Sequence, residues 1–169
     1  MTAPRVVLVG PPGAGKTTVG QALAQRLGLS LRDTDHDIEA SEGASVQDLF
    51  VTRGEPYFRE LEEKAVVAAL AEHDGVLSLG GGAVLSDATR AVLDGHTVVF
   101  LDVGLAAAVS RVGLGAGRPL LLGNVRARLK GLLDARRPLY TEVASTTLVT
   151  DNLDSEAVAD RVAAWLETV

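Results

Sequence analysis

Short apolar runs alternate along this chain with longer stretches whose apolar positions recur at helical spacing. Arg5–Val9 is a β-branched run that predicts a first strand. Val19, Leu23 and Leu27 then fall four apart, and Gly28 stops that helix. Leu29–Asp33 predicts a short second strand. Ser45 with Asp48 marks a helix start, and Gly54-Glu55-Pro56 opens another, with proline in the first turn, where its missing N–H costs nothing. Leu61, Ala65, Val66 and Leu70 carry that helix forward. Val76–Leu79 reads as a strand ended by Gly80-Gly81-Gly82, and Ser86-Asp87 caps a short helix. Thr97–Val103 predicts a strand, Leu105–Val112 and Val125–Arg137 helices, Thr146–Val149 the last strand and Ser155–Val169 a closing helix. Val158, Val162 and Trp165 share the inner stripe of that helix. Gly113 to Asn124 holds four glycines and a proline. It predicts a mobile loop of the length that lids take.

Alternation of about five strands with helices implies a parallel sheet covered on both faces. The 169 residues suit one domain, and no repeat or linker interrupts them. With no cysteine, disulfides and thiolate chemistry are excluded. The opening apolar run, Val6 to Val9, is too short for a secretion signal, and no stretch approaches the roughly 18 residues of a membrane span. A cytoplasmic monomer is the expectation. A net charge of −6 argues against a nucleic-acid partner. The distribution of charge says more. Arg111, Arg118, Arg126, Arg128, Lys130, Arg136 and Arg137 crowd one segment, against the single acid Asp134. Such a segment either presents a solvated face or holds something anionic.

The strongest chemical signal is Gly10-Pro11-Pro12-Gly13-Ala14-Gly15-Lys16-Thr17, which matches G-x-x-x-x-G-K-[ST] between a strand and a helix. Glycines let successive N–H groups face one concavity, and the helix N-terminus adds its dipole; phosphates fit there. Gly13, Ala14, Gly15, Lys16, Thr17 and Thr18 are the candidate ATP-binding residues. Lys16 is placed to reach the β- and γ-phosphates, and the Thr17 hydroxyl to ligate Mg²⁺. The metal acid is open on pattern alone. Asp102 ends an apolar strand, and Asp33-Thr34-Asp35 follows the second strand; ligands gather at such carboxyl ends.

The loop is followed in order by Asp33-Thr34-Asp35, Phe58-Arg59-x-x-Glu62, Gly80-Gly81-Gly82, Arg118-Pro119-Leu120-Leu121 and Arg136-x-Pro138-Leu139-Tyr140. This ordered set, spread over nearly the whole chain, resembles the shikimate kinase family. The resemblance implies an α/β P-loop fold of the nucleoside-monophosphate-kinase type. Its five-stranded parallel sheet has the order 2-3-1-4-5 and helices on both faces. A lid lies near residues 113–126 and a substrate-binding helical region near 34–62. It implies transfer of the γ-phosphoryl group of Mg·ATP to shikimate. It makes Asp33 the Mg²⁺ acid, acting through water, and Asp35 the group that orients or deprotonates the attacking hydroxyl. Arg59 and Arg136 would clamp the substrate carboxylate, with Arg137 as the neighbouring alternative and Glu62 bracing Arg59. Gly80, Gly81 and Gly82 would meet the substrate with backbone, Arg118 would meet the γ-phosphate and Arg111 would flank adenine.

These residue types suit the chemistry. Phosphoryl transfer needs positioning and charge neutralisation. A planar guanidinium meets a carboxylate through two hydrogen bonds. Each residue also has a plainer reading. Asp35 could cap a helix, Arg59 and Glu62 could form an exposed i, i+3 pair, the glycines could form a turn, and Arg136 and Arg137 could complement a helix end. Rival functions are another small-metabolite kinase such as a gluconate kinase, a nucleoside-monophosphate kinase, or a non-catalytic nucleotide-binding module.

Overall fold

The computed structural model describes the backbone of residues 2–116 and 122–169, and the side chains within those spans except at 112–125. Five parallel strands form one sheet in the order β2-β3-β1-β4-β5. They are β1 (Val6–Val9), β2 (Leu31–Asp33), β3 (Val76–Ser78), β4 (Val98–Asp102) and β5 (Thr146–Val149). The helices are α1 (Lys16–Leu27), α2 (Thr34–Glu42), α3 (Val46–Arg53), α4 (Glu55–Glu72), α5 (Asp87–Leu93), α6 (Leu105–Ala116), α7 (Leu122–Val143) and α8 (Ser155–Leu166). The strand order is the one implied by the resemblance.

Unbroken apolar runs make the central strands because both sheet faces are covered. Side chains alternate between two cores. Val6, Leu8, Val99 and Leu101 pack under α1 and α8, while Val7, Val9, Val98 and Phe100 pack with Val66, Ala69 and Leu70 of α4 and Tyr140 of α7. A third, smaller cluster of Ile38, Leu49 and Phe58 joins α2, α3 and α4 beside the sheet. Trp165 is partly buried against the first core, as its stripe suggested.

Helix starts follow the capping signals. The Ser45 side chain accepts from the N–H of Asp48, Ser86 from Thr89 and Asp154 from Ala157. Three spans differ from expectation. Helix α2 begins directly after Asp33, in the helical region that the resemblance implied near 34–62 but that apolar periodicity alone does not predict. Parts of the expected loop at 113–124 are helical: α6 runs on to Ala116 and α7 starts at Leu122. Isolated glycines cost a helix only about 1 kcal/mol each and do not end one without a competing cap. The remainder of the proposed lid lies outside the described residues. Finally, α7 continues through Pro138 to Val143 instead of stopping at Arg137. Proline removes one helical hydrogen bond at a cost of about 3 kcal/mol. Burial of Tyr140, with Leu139 and Val143 packed against the second core, offsets it.

The Phe100 ring is fully buried and lies 4.9 Å from the Tyr140 ring. Phe100→Ala is expected to cost about 3–5 kcal/mol, read as a lower urea midpoint at unchanged slope.

Candidate active site

Gly10 to Gly15 turn from β1 into α1. A Cβ at Gly10 would stand 2.5 Å from the Leu101 carbonyl oxygen, so only glycine fits this approach to β4. Gly15 holds φ at 83°. Among the described residues no side chain caps α1, so its first N–H groups stay available to an anion. The Lys16 ammonium folds back to donate to the carbonyls of Gly10 (2.7 Å) and Pro11 (3.2 Å). Burial lowers its pKa to about 8, against the raising influence of Asp35 and Asp33. A cavity of about 400 Å³ opens in front, lined by Gly13, Gly15, Lys16, Thr17, Thr18 and the acids Asp33 and Asp35. Ala14 is buried and faces a second cavity.

The two acids have different tasks. Asp33 caps α2 by accepting from the Asp35 N–H at 2.8 Å. The cap is thus Asp33, and the Asp35 carboxylate faces the cavity. Its Oδ1 is buried without a hydrogen-bond partner among the described residues. Burial, then the neighbouring Asp33 charge, raises the Asp35 pKa; Lys16 and Arg59 oppose this. Asp102 is engaged elsewhere. Its Oδ1 accepts from the Val103 N–H at 2.9 Å and from Arg137 Nη2 at 3.1 Å, and it does not line the cavity.

Beyond the end of β3, the triple glycine forms a wall with no side chains. A Cβ at Gly80 would stand 2.6 Å from Asp35 Oδ1 and 2.8 Å from Glu62 Oε2. One at Gly82 would overlap the Arg59 guanidinium. One at Gly81 would stand 3.3 Å from Pro12 Cδ and 3.7 Å from Arg136 Nη1. Arg59 Nη1 donates to Glu62 Oε1 at 2.7 Å. This is no exposed surface pair, because Glu62 is buried. Burial raises the Glu62 pKa, opposed chiefly by Arg59. The Arg59 guanidinium carbon is 5.4 Å from the ring centres of both Phe50 and Phe58. Its Nε is buried and unpartnered among the described residues. The adjacent arginines divide: Arg137 binds Asp102, and Arg136 faces Gly81. Arg59 and Arg136 stand beside the glycine wall and do not line the 400 Å³ cavity itself.

Arg111 sits where this cavity meets a second one of about 290 Å³, lined also by Ala14, Thr18, Thr150 and Asp154. Arg111 donates to the Gly13 carbonyl at 2.8 Å and to the Thr150 carbonyl at 2.9 Å. Arg118 lies outside the described residues. Pro12, Ser78 and Leu79 also line the first cavity, and Thr150 anchors Arg111; none was singled out for these roles. Ser78 and Thr150 stand at or just past carboxyl ends of strands, a position that offered a signal.

A phosphate loop opening onto a separate polar wall belongs to the P-loop phosphotransferases, which bring a nucleotide and a small acceptor together. Comparisons with known proteins narrow the class. The shikimate kinase family model matches residues 12–167. The chain is similar to shikimate kinase of Salinispora arenicola, with 61% identity over 97% of this chain and 98% of the relative. It is similar to shikimate kinase of Streptomyces avermitilis, with 56% identity over 99% and 98%. Among solved structures it is similar to shikimate kinase from Acinetobacter baumannii in complex with shikimate. That match has a TM-score of 0.90 and 36% identity, and covers 99% of this chain and 94% of that one. The chain belongs to the shikimate kinase family.

The folded pKa of Asp35 lies above the ordinary 3.8, so the folded protein binds that proton more tightly than the unfolded chain. Stability is therefore lost as pH rises through the folded pKa. Asp35→Asn removes this loss. Its melting temperature is expected to match the unaltered protein near about pH 3, below the unfolded pKa, and to exceed it by a constant margin once pH has passed the folded pKa. A scanning-calorimetry pH series without nucleotide measures the difference.

Proposed function

We propose that the protein transfers the γ-phosphoryl group of Mg·ATP to the 3-hydroxyl of shikimate, yielding shikimate 3-phosphate and ADP for chorismate and aromatic amino-acid synthesis. One observation carries this reading. Along the glycine wall the Asp35 carboxylate stands by Gly80, the phosphate loop and Arg136 by Gly81, and Arg59 by Gly82, while Lys16 lines the cavity that Asp35 also lines. A small molecule with hydroxyls at one end and a carboxylate at the other fits that polarity. The Acinetobacter baumannii relative was solved with shikimate, which supports the same acceptor.

The roles follow from the placement. Asp35 accepts hydrogen bonds from the acceptor hydroxyls and takes the proton of the attacking one. Its raised pKa makes it a stronger base than an exposed aspartate. Arg59 and Arg136 bind the carboxylate, and the buried Arg59 Nε is a donor still to be satisfied. Glu62 fixes the Arg59 rotamer. The site backbone at Gly80, Gly81 and Gly82 packs against the acceptor ring. Lys16 leaves its loop carbonyls for the β- and γ-phosphates. Its depressed pKa reflects burial of the ammonium, which an anionic phosphate beside it would offset. Arg111 flanks the base, and by the family resemblance Arg118 meets the γ-phosphate.

The residues present fit a magnesium ion. Asp33 spends Oδ1 on its cap, and among the described residues no donor reaches its Oδ2. Thr17 shares the cavity with it. No cluster of three or more His, Cys, Asp or Glu side chains forms among the described residues, so most ligands would be water and phosphate oxygens, as Mg²⁺ prefers. Bound there, Mg²⁺ supplies neutralisation of phosphate charge. Among the described residues no helix is long and apolar enough to cross a membrane. We take the working form to be a cytoplasmic monomer.

ADP release with shikimate, gluconate and nucleoside monophosphates, each against a no-acceptor control, tests the acceptor. Turnover with shikimate alone is expected; turnover with another acceptor alone contradicts the reading. Arg59→Ala and Arg136→Ala are expected to raise the shikimate KM at least about ten-fold while the ATP KM stays within about two-fold. Asp35→Ala abolishes turnover and leaves ATP binding in place. Asp33→Asn shifts the Mg²⁺ dependence of the rate, whereas a shift only in Asp102→Asn reverses the metal assignment.

A further inference from the structure

The Arg136-x-Pro138-Leu139-Tyr140 run contains a residue that the reaction chemistry leaves unused. Tyr140 is four residues after Arg136 on α7, so both side chains leave the same helix face. Arg136 reaches the glycine wall directly. Tyr140 is 1% exposed, so its side chain presents almost no surface to a ligand. Its ring packs on Phe100 of β4, and its hydroxyl donates to the Gly81 carbonyl at 2.5 Å.

That bond falls where the wall has least support. Three successive glycines carry the highest backbone entropy of any tripeptide and have no side chains to hold them. The 3-10 turn Ala83–Leu85 secures two of the three carbonyls: Ala83 N–H donates to Gly80 and Leu85 N–H to Gly82, each at 3.1 Å. The Gly80 N–H donates to the Thr34 hydroxyl at 3.3 Å. The Gly81 carbonyl has no such helical partner, and Tyr140 supplies one. Because the peptide unit is planar, holding that carbonyl also fixes the direction of the Gly82 N–H and the position of Gly81 between Pro12 and Arg136. Burial raises the phenol pKa, which keeps the proton on the oxygen and the group a donor.

We propose that Tyr140 is a positioning residue for the acceptor site. Its hydroxyl clamps the middle of the glycine wall and ties it to the helix that carries Arg136. The clamp works through Gly81 and Arg136, so it rests on the reading that these residues meet the acceptor. Without the hydroxyl, the ring still fills its place beside Phe100, but the Gly81–Gly82 peptide samples orientations that the acceptor cannot use. The loss falls on acceptor binding and spares the phosphate loop, which Tyr140 does not contact through any hydrogen bond.

Steady-state kinetics and shikimate calorimetry on Tyr140→Phe test this, with Arg136→Ala in parallel. Tyr140→Phe is expected to raise the shikimate KM and Kd about five- to thirty-fold and to leave the ATP KM within about two-fold. Hydrogen exchange should quicken at the amides of Gly81 and Gly82 and remain unchanged in β1 and α1. Replacing Tyr140 by 4-aminophenylalanine, which restores a donor at the ring tip, should recover most of the acceptor affinity; 4-fluorophenylalanine should not. If Arg136→Ala weakens shikimate binding and Tyr140→Phe does not, the clamp is wrong and the acceptor site stands. If neither variant weakens it, both are wrong. Equal rises for ATP and shikimate in Tyr140→Phe, or equal behaviour of the amino and fluoro analogues, reduce Tyr140 to a core residue and overturn the inference.

Discussion

The active region depends on one steric constraint: the strip Gly80–Gly82 must carry no side chains. Four charged side chains from three helices close on it, Asp35 from α2, Arg59 and Glu62 from α4, and Arg136 from α7. A single methyl at Gly80 would stand 2.6 Å from a carboxylate oxygen of Asp35. The bare backbone lets these groups approach one small volume from several directions. It also leaves the strip unable to hold itself, so the 3-10 turn, the Thr34 hydroxyl and the Tyr140 hydroxyl hold it from outside. The parallel sheet supplies the frame. Its carboxyl ends bring the strip after β3 beside the phosphate loop after β1, because the two strands are paired neighbours.

The charges gathered there oppose one another in a way that favours ligand over emptiness. Burial and Asp33 push the Asp35 proton affinity up, and burial pulls that of Lys16 down. Each change records a charge held with too few partners. Anionic phosphates beside Lys16, and a metal cation beside Asp33, would relieve this, and the stability given up in the free protein appears as binding energy. The Asp102–Arg137 pair stands apart from the cavity. It occupies one of two adjacent arginines and leaves the other to face the glycine wall.

Much of the fold was legible because both signals are local. Covered parallel strands read as unbroken apolar runs, and Ser45, Ser86 and Pro56 sit where helix ends demand them. The phosphate loop was legible by itself, since its geometry depends on glycines at fixed spacing. The acceptor site was not. Asp35, Glu62 and Arg59 each had a bland local reading, and only their ordered likeness to a known family brought them together. The departures have physical causes. The residue that caps α2 is Asp33, and its own backbone geometry decided this. Pro138 reads locally as a helix stop, yet long-range burial of Tyr140 carries α7 past it. The hydroxyl of Tyr140 meets a carbonyl 59 residues away, a pairing that no periodicity reveals.

The central claim is that the acceptor is held on bare backbone, separately from the nucleotide. Gly80→Ala tests it most directly, with shikimate-dependent ADP release and nucleotide affinity measured on the same preparation. The account predicts that turnover falls by at least about a hundred-fold, equivalent to about 2.7 kcal/mol, while nucleotide affinity changes less than about three-fold. Turnover within about two-fold of the unaltered protein would contradict it, because a methyl group tolerated against Asp35 and Glu62 leaves no room for the claim that this strip must be bare.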